Sequence, residues 1–138
     1  MHTTNYINTL ILVAEDTNVD CGTIPTGRAG NPTIAELQYK LLANNPYTLT
    51  SDDVLFQVYA KRKDLVVSEY KREREIFFSK GKPCFRASPL TKNYGFGIHA
   101  DNHGKLAIYG METMEYENLL KDPKIKKILA MRNSRKVK

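Results

Sequence analysis

The longest strongly apolar run in this chain is four residues, Leu10-Ile11-Leu12-Val13, and it constrains the fold more than any other feature. It lies within Tyr6–Ala14, a β-branched and apolar stretch that ends at Glu15-Asp16. Such a segment reads as a strand buried on both faces at its centre. Four residues fall far short of the roughly 18 that a membrane span requires. The strand must therefore serve the core of a globular domain. With 138 residues, that core is expected to be a single one, large enough to form without disulfides or metals as staples.

The rest of the chain supplies partners for that strand. About eighteen residues rich in Gly, Pro, Thr and Asp follow it, a length at which loops tend to be functional or mobile. Thr33-Ile34-Ala35-Glu36 has capping-box spacing behind Pro32. Ile34, Leu37, Leu41 and Leu42 then recur at helical spacing until Asn44-Asn45-Pro46, which predicts a helix over 33–44. Val54, Phe56, Val58 and Ala60 alternate with Leu55, Gln57, Tyr59 and Lys61, which favours a strand. Ser51-Asp52-Asp53 ahead of them would equally cap a helix.

Beyond this, a helix is expected from Glu69 to about Ser79, with Tyr70, Phe77 and Phe78 inward. Its outer face, Lys71 to Glu75, is a solvated run of paired charges. Ser88-Pro89 has the grammar of a cap and first helical residue, opening a turn to about Asn93. Residues 96–109 read as an antiparallel hairpin around Asp101-Asn102-His103-Gly104. Thr113 to Leu120 follows, and after Asp122-Pro123 a last helix carrying Ile125, Ile128, Leu129 and Arg132. The order β-α-β-α-β-β-α implies an α+β domain spanning 1–138, a small antiparallel or mixed sheet with helices packed on one face.

Charge is divided unevenly. Residues 1–60 hold two basic side chains (Arg28, Lys40) against six acidic, whereas residues 61–138 hold nineteen against nine, within a net charge of +6. A basic half suggests an anionic partner. Lys124, Lys126, Lys127, Arg132, Arg135, Lys136 and Lys138 would meet nucleic-acid phosphates from the last helix and a frayed tail over 133–138. A solvated helix face is the preferred reading of the same residues. Two cysteines, Cys21 and Cys84, fit a reducing compartment. The N-terminal MHTTNYIN lacks the features of a secretory signal, so a cytoplasmic location is expected and no membrane partner.

One stretch, CFRASPLTKNYGFGIH over residues 84–99, concentrates reactive and polar side chains. Together with the opening HTTNY, the TSDDVLF segment and FFSKG, it resembles a family of small uncharacterised bacterial proteins grouped as a domain of unknown function. The RASPLTK-x-YG-x-GIH block is the most specific part, and Phe96 stands where the family would have tryptophan. The resemblance covers nearly the whole chain. It implies a single-domain cytoplasmic protein and transfers no site residue.

The residues of this stretch suggest several chemistries. Cys84 and His99 form a nucleophile-and-base pair for an enzyme reading, with Arg86 or Lys92 to favour the thiolate and Ser88 as a second nucleophile. No third orienting residue and no glycine elbow accompany them. His99, His103, Cys21 and Cys84 would make four zinc ligands, but without any diagnostic spacing. Gly22 to Arg28 follows a strand and precedes a helix as a phosphate loop does, yet Arg28-Ala29 stands where Lys-Ser/Thr is required. No metal or cofactor is therefore expected.

The preferred reading is a binding module for a small anionic ligand, built from Arg86, Ser88, Lys92, Tyr94 and His99. If Arg86 is buried it must be paired, and Asp52 or Asp53 is the nearest candidate in chemical logic. Oligomeric state is left open.

Overall fold

Strand β1 (Thr9–Leu12) lies between two partners in a four-stranded sheet. It pairs antiparallel with β2 (Phe96–Ala100), placing Thr9 opposite Ala100 and Ile11 opposite Ile98. β2 in turn pairs antiparallel with β3 (Leu106–Gly110), completing the expected hairpin. On its other side β1 runs parallel to β4 (Lys126–Leu129), so the sheet is mixed with order β3-β2-β1-β4. The computed structural model describes residues 2–27 and 30–134. Among them the chain forms one small α+β domain with five α-helices, as its element order implied.

Helix α1 (Ile34–Asn44) begins where its cap predicts, with the Thr33 hydroxyl accepting from the Glu36 amide. With α2 (Ser51–Arg62) and the single turn α4 (Pro89–Lys92) it covers one sheet face. Ile11, Val54, Leu90, Phe96 and Ile98 share the main core there. Helix α3 (Tyr70–Phe77) packs on α2, through Phe56, Ala60 and Phe78.

Helix α5 (Met114–Lys121) departs from the expected packing of all helices on one face: it lies across the opposite face, where Tyr116 packs with Leu10 and Val13. The topology requires this crossing, because β3 and β4 are at opposite edges and α5 is the connection between them. Gly97 permits the close approach, since a Cβ there would run into the Tyr116 ring. The Tyr116 hydroxyl accepts from the Val13 amide at 3.2 Å and fixes the ring in place.

Two segments differ from their sequence reading. Residues 54–61, favoured as a strand, form the middle of α2. Residues two apart on an α-helix point about 200° apart and residues four apart about 40°. Val54 and Val58 therefore face the main core, while Phe56 and Ala60 face α3 on the far side. Burial on two opposite faces produces the alternation of a strand. A reciprocal capping box, with the Thr50 amide on Asp53 at 3.0 Å and the Asp53 amide on Thr50 at 3.2 Å, settles the conformation locally.

The helix expected after Asp122-Pro123 is instead strand β4. Its helical spacing of Ile125, Ile128 and Leu129 yields to ladder bonds that β1 would otherwise leave unmade, flanked by Lys126 N–H on Asn8 and Ala130 N–H on Leu12. Exposed Lys126 and half-buried Lys127 sit on this edge strand, where charge discourages pairing with another chain.

The double burial of α2 has a measurable consequence. In urea unfolding, Phe56→Ala is expected to cost about 3–5 kcal/mol and Val54→Ala about 2 kcal/mol, although the two face opposite ways. An amphipathic element would show a large loss at only one of them, and that outcome would contradict the two-sided packing.

Candidate functional site

The N-terminal half of α1, one side of α2 and residues 82–89 border a solvent-open cavity of about 630 Å³. Leu55, Val58, Tyr59 and Arg62 form one helical stripe of α2 along its wall. Ile34 and Gln38, one turn apart on α1, face them. Phe77, Lys82 and Pro83 also line it, and Cys84, Ala87, Ser88 and Pro89 bring the singled-out segment into the lining.

The cavity's walls are largely apolar, and its charges are of one sign. Arg62, Lys63 and Lys82 line it without any aspartate or glutamate. None of the three enters an ion pair among the described residues. The Lys82 ammonium lies 4.4 Å from the centre of the Phe77 ring, which also packs against Tyr59 at 4.7 Å between ring centres.

Two buried polar side chains sit in this lining. Ser88 caps α4 by accepting from the Leu90 amide at 3.1 Å, and its hydroxyl donates to Gln38 Oε1 at 2.6 Å. Cys84 is half-buried, and the Tyr6 hydroxyl donates to its sulfur at 2.8 Å. Burial first, then the bond to Cys84, pushes the Tyr6 phenol well above its usual range, against an opposing effect of Arg86. Tyr6 is thus a donor to the sulfur near neutrality and supplies no base.

The structure divides the residues expected to form one site. Cys84 and Ser88 line the cavity on the helical side of the sheet. Gly97 faces Tyr116 on the opposite side, and His99, two residues on, shares that face. The structure thus does not assemble Cys84 and His99 as a nucleophile-and-base pair. Tyr94 packs against the main core.

Arg86 is exposed and, among the described residues, has no aspartate partner. Its Nε donates to the Leu129 carbonyl at 2.7 Å and its own carbonyl accepts from Met131 at 2.8 Å. Asp53 is paired with Arg74 at 3.0 Å, and Asp52 accepts from Thr3 and Thr4 at 2.7 Å. The Lys92 carbonyl accepts from the Asn133 side chain at 3.0 Å. Arg86 and Lys92 therefore clasp the segment that follows β4.

The nucleic-acid surface changes in the same way. Lys126 and Lys127 belong to a strand, Arg132 lies 3.4 Å from Glu15, and Arg135, Lys136 and Lys138 lie outside the described residues. In the loop compared with a phosphate loop, the Gly22 amide donates to the Glu112 carboxylate at 2.7 Å, and Arg28 lies outside the described residues. Among the described residues, no three His, Cys, Asp or Glu side chains converge as a metal site.

On the other sheet face, Tyr47 was not anticipated. Its hydroxyl bonds to His99 Nδ1 at 2.8 Å and to the Tyr109 hydroxyl at 2.9 Å. Tyr47 holds φ at 55°, unusual for a bulky residue. No sequence spacing connects Tyr47 to the hairpin. Gln38 had a visible signal, a polar residue one turn from Ile34 and between Leu37 and Leu41.

A mixed four-stranded sheet flanked by five helices, with a cationic, apolar-walled cavity in the helical layer, is the class of protein these features define. The chain belongs to the DUF6157 family, a family of unknown function whose model matches residues 1–136. No curated protein and no solved structure is a match to it. No helix of the described residues is long and apolar enough to cross a membrane.

Burial lowers the pKa of His99 below its ordinary 6.5, outweighing the opposing charges of Asp101 and Asp122. A depressed histidine contributes no penalty above that ordinary value, and stability declines as pH falls through its folded-state pKa. Following the His99 ring resonances against pH is expected to give a midpoint below 6.5. A midpoint at or above that value would show that the carboxylates, not burial, control the ring.

Proposed function

We propose that this chain binds a small anion with an apolar body in the cavity bordered by α1, α2 and residues 82–89. The observation that carries the reading is charge complementarity. Three cations line an otherwise largely apolar space that no carboxylate neutralises. An ammonium or guanidinium beside apolar wall interacts more strongly with an anion than it would in open water. The walls would hold the hydrophobic part of the ligand and the cations its acid group, an arrangement common to small-molecule sites.

Relative to the segment first singled out, the ligand-binding role passes to Ser88 and Cys84 together with Arg62, Lys63 and Lys82. Arg62 lies in the last turn of α2, where it also meets the negative end of the helix dipole. Lys82 has no such duty, and it is the better residue to test.

The test uses 2-naphthoate and its neutral counterpart 2-naphthylmethanol in calorimetric titrations. Naphthoate is expected to bind more tightly, and Lys82→Ala and Arg62→Ala are each expected to weaken it three- to tenfold, about 0.7–1.4 kcal/mol. In a Cys21→Ser background, saturating naphthoate should slow alkylation of Cys84 by iodoacetamide. Equal binding of the two compounds, or Cys84 alkylated at the same rate with and without naphthoate, would overturn the proposal.

A further inference from the structure

Gln38 is 4% exposed, and it borders the cavity. Its amide has one acceptor oxygen and two N–H donors. Ser88 occupies the oxygen at 2.6 Å, and Ser88 is itself held by the Leu90 amide at 3.1 Å, so the amide plane is fixed from behind. The Nε2 group donates to no other described residue. The Nε2 group is not sealed from water, so a ligand that displaces water from this edge of the cavity must replace those hydrogen bonds or leave two donors unpaired.

Resting on the anion-binding reading above, we infer that the ligand carries a hydrogen-bond acceptor on its buried end, and that the Gln38 amide selects for it. The three cations take the acid group. The Tyr59 and Phe77 rings, 4.7 Å apart between centres, form the aromatic part of the wall for a flat middle section. The class of ligand is therefore an aryl acid with a carbonyl or similar acceptor remote from the acid. Selection follows from the asymmetry of buried hydrogen bonding. A ligand with an acceptor pairs the Gln38 donors, and one without it strips their water and leaves them unpaired.

The experiment compares 6-acetyl-2-naphthoate with 6-isopropyl-2-naphthoate, which are close in shape and differ in the acceptor. In calorimetric titration the acetyl compound is expected to bind at least tenfold more tightly. Gln38→Leu should abolish that preference, chiefly by weakening the acetyl compound. A readout independent of any variant is the Gln38 side-chain amide in nitrogen–proton spectra. Its resonances should move downfield with the acetyl compound and not with the isopropyl one.

Equal affinities, or an unmoved amide resonance, would overturn this inference while leaving the anion-binding reading intact. A preference that survives in a folded Gln38→Leu variant would do the same. Binding of neither compound would overturn both.

Discussion

Two-sided burial of α2 is the constraint from which the rest of the helical layer follows. A helix on the surface of a sheet ordinarily buries one stripe. Here Val54 and Val58 enter the main core while Phe56 and Ala60 are covered by α3 and Phe78. α3 consequently gains its burial from α2, as an outer layer. A third stripe of α2, Leu55, Val58, Tyr59 and Arg62, lies between those two and lines the cavity. Because that stripe ends in Arg62, the element that forms the apolar wall also delivers charge to its edge.

Much of this was legible from residues acting locally. Thr33 and Ser88 mark helix starts because a hydroxyl accepting a free amide is a property of a few neighbouring residues. The hairpin over 96–109 is legible because Asp101 organises its own turn, accepting from His103 and Lys105 amides at 2.8 and 2.9 Å. The segments misread depend on contacts far away in sequence. Residues 54–61 carry a period of two because two separate partners bury them. Residues 126–129 carry a helical spacing, but β1 offers an unfilled edge more than a hundred positions earlier.

The candidate site was half legible for the same reason. The density of polar groups in 84–99 marked a region, and two of its candidate residues, Cys84 and Ser88, line the cavity. Arg86 and Lys92 are adjacent in sequence to those residues but serve the chain's C-terminal closure. The cations that line the cavity come from the end of α2 and from Lys82, positions that no short motif connects.

The division of charge along the chain has a structural side as well. The acidic first half and the basic second half are brought into contact by the fold. Glu15 lies against Arg132, Asp53 against Arg74, and Asp16 accepts from the backbone of Asn133 and Ser134. Part of what the sequence presents as a basic surface awaiting a partner is met within the molecule. An exposed pair such as Glu15–Arg132 contributes only about 0–1 kcal/mol, so the contacts at the closing segment orient it more than they stabilise the domain. Arg62, Lys63 and Lys82 differ from the other cations outside this exchange in that they border the apolar cavity, which is the physical ground for treating them separately.

Ser88 joins the local and the distant requirements in a single hydroxyl. Its lone pair caps α4, and its proton fixes an amide on α1, fifty residues away. Both bonds are buried, so neither competes with water, and together they determine which edge of Gln38 is left over. Replacing Ser88 would therefore disturb a helix start and a side-chain orientation at once. The polar character of the cavity wall is a consequence of how α4 is begun, and architecture and recognition cannot be separated at that residue.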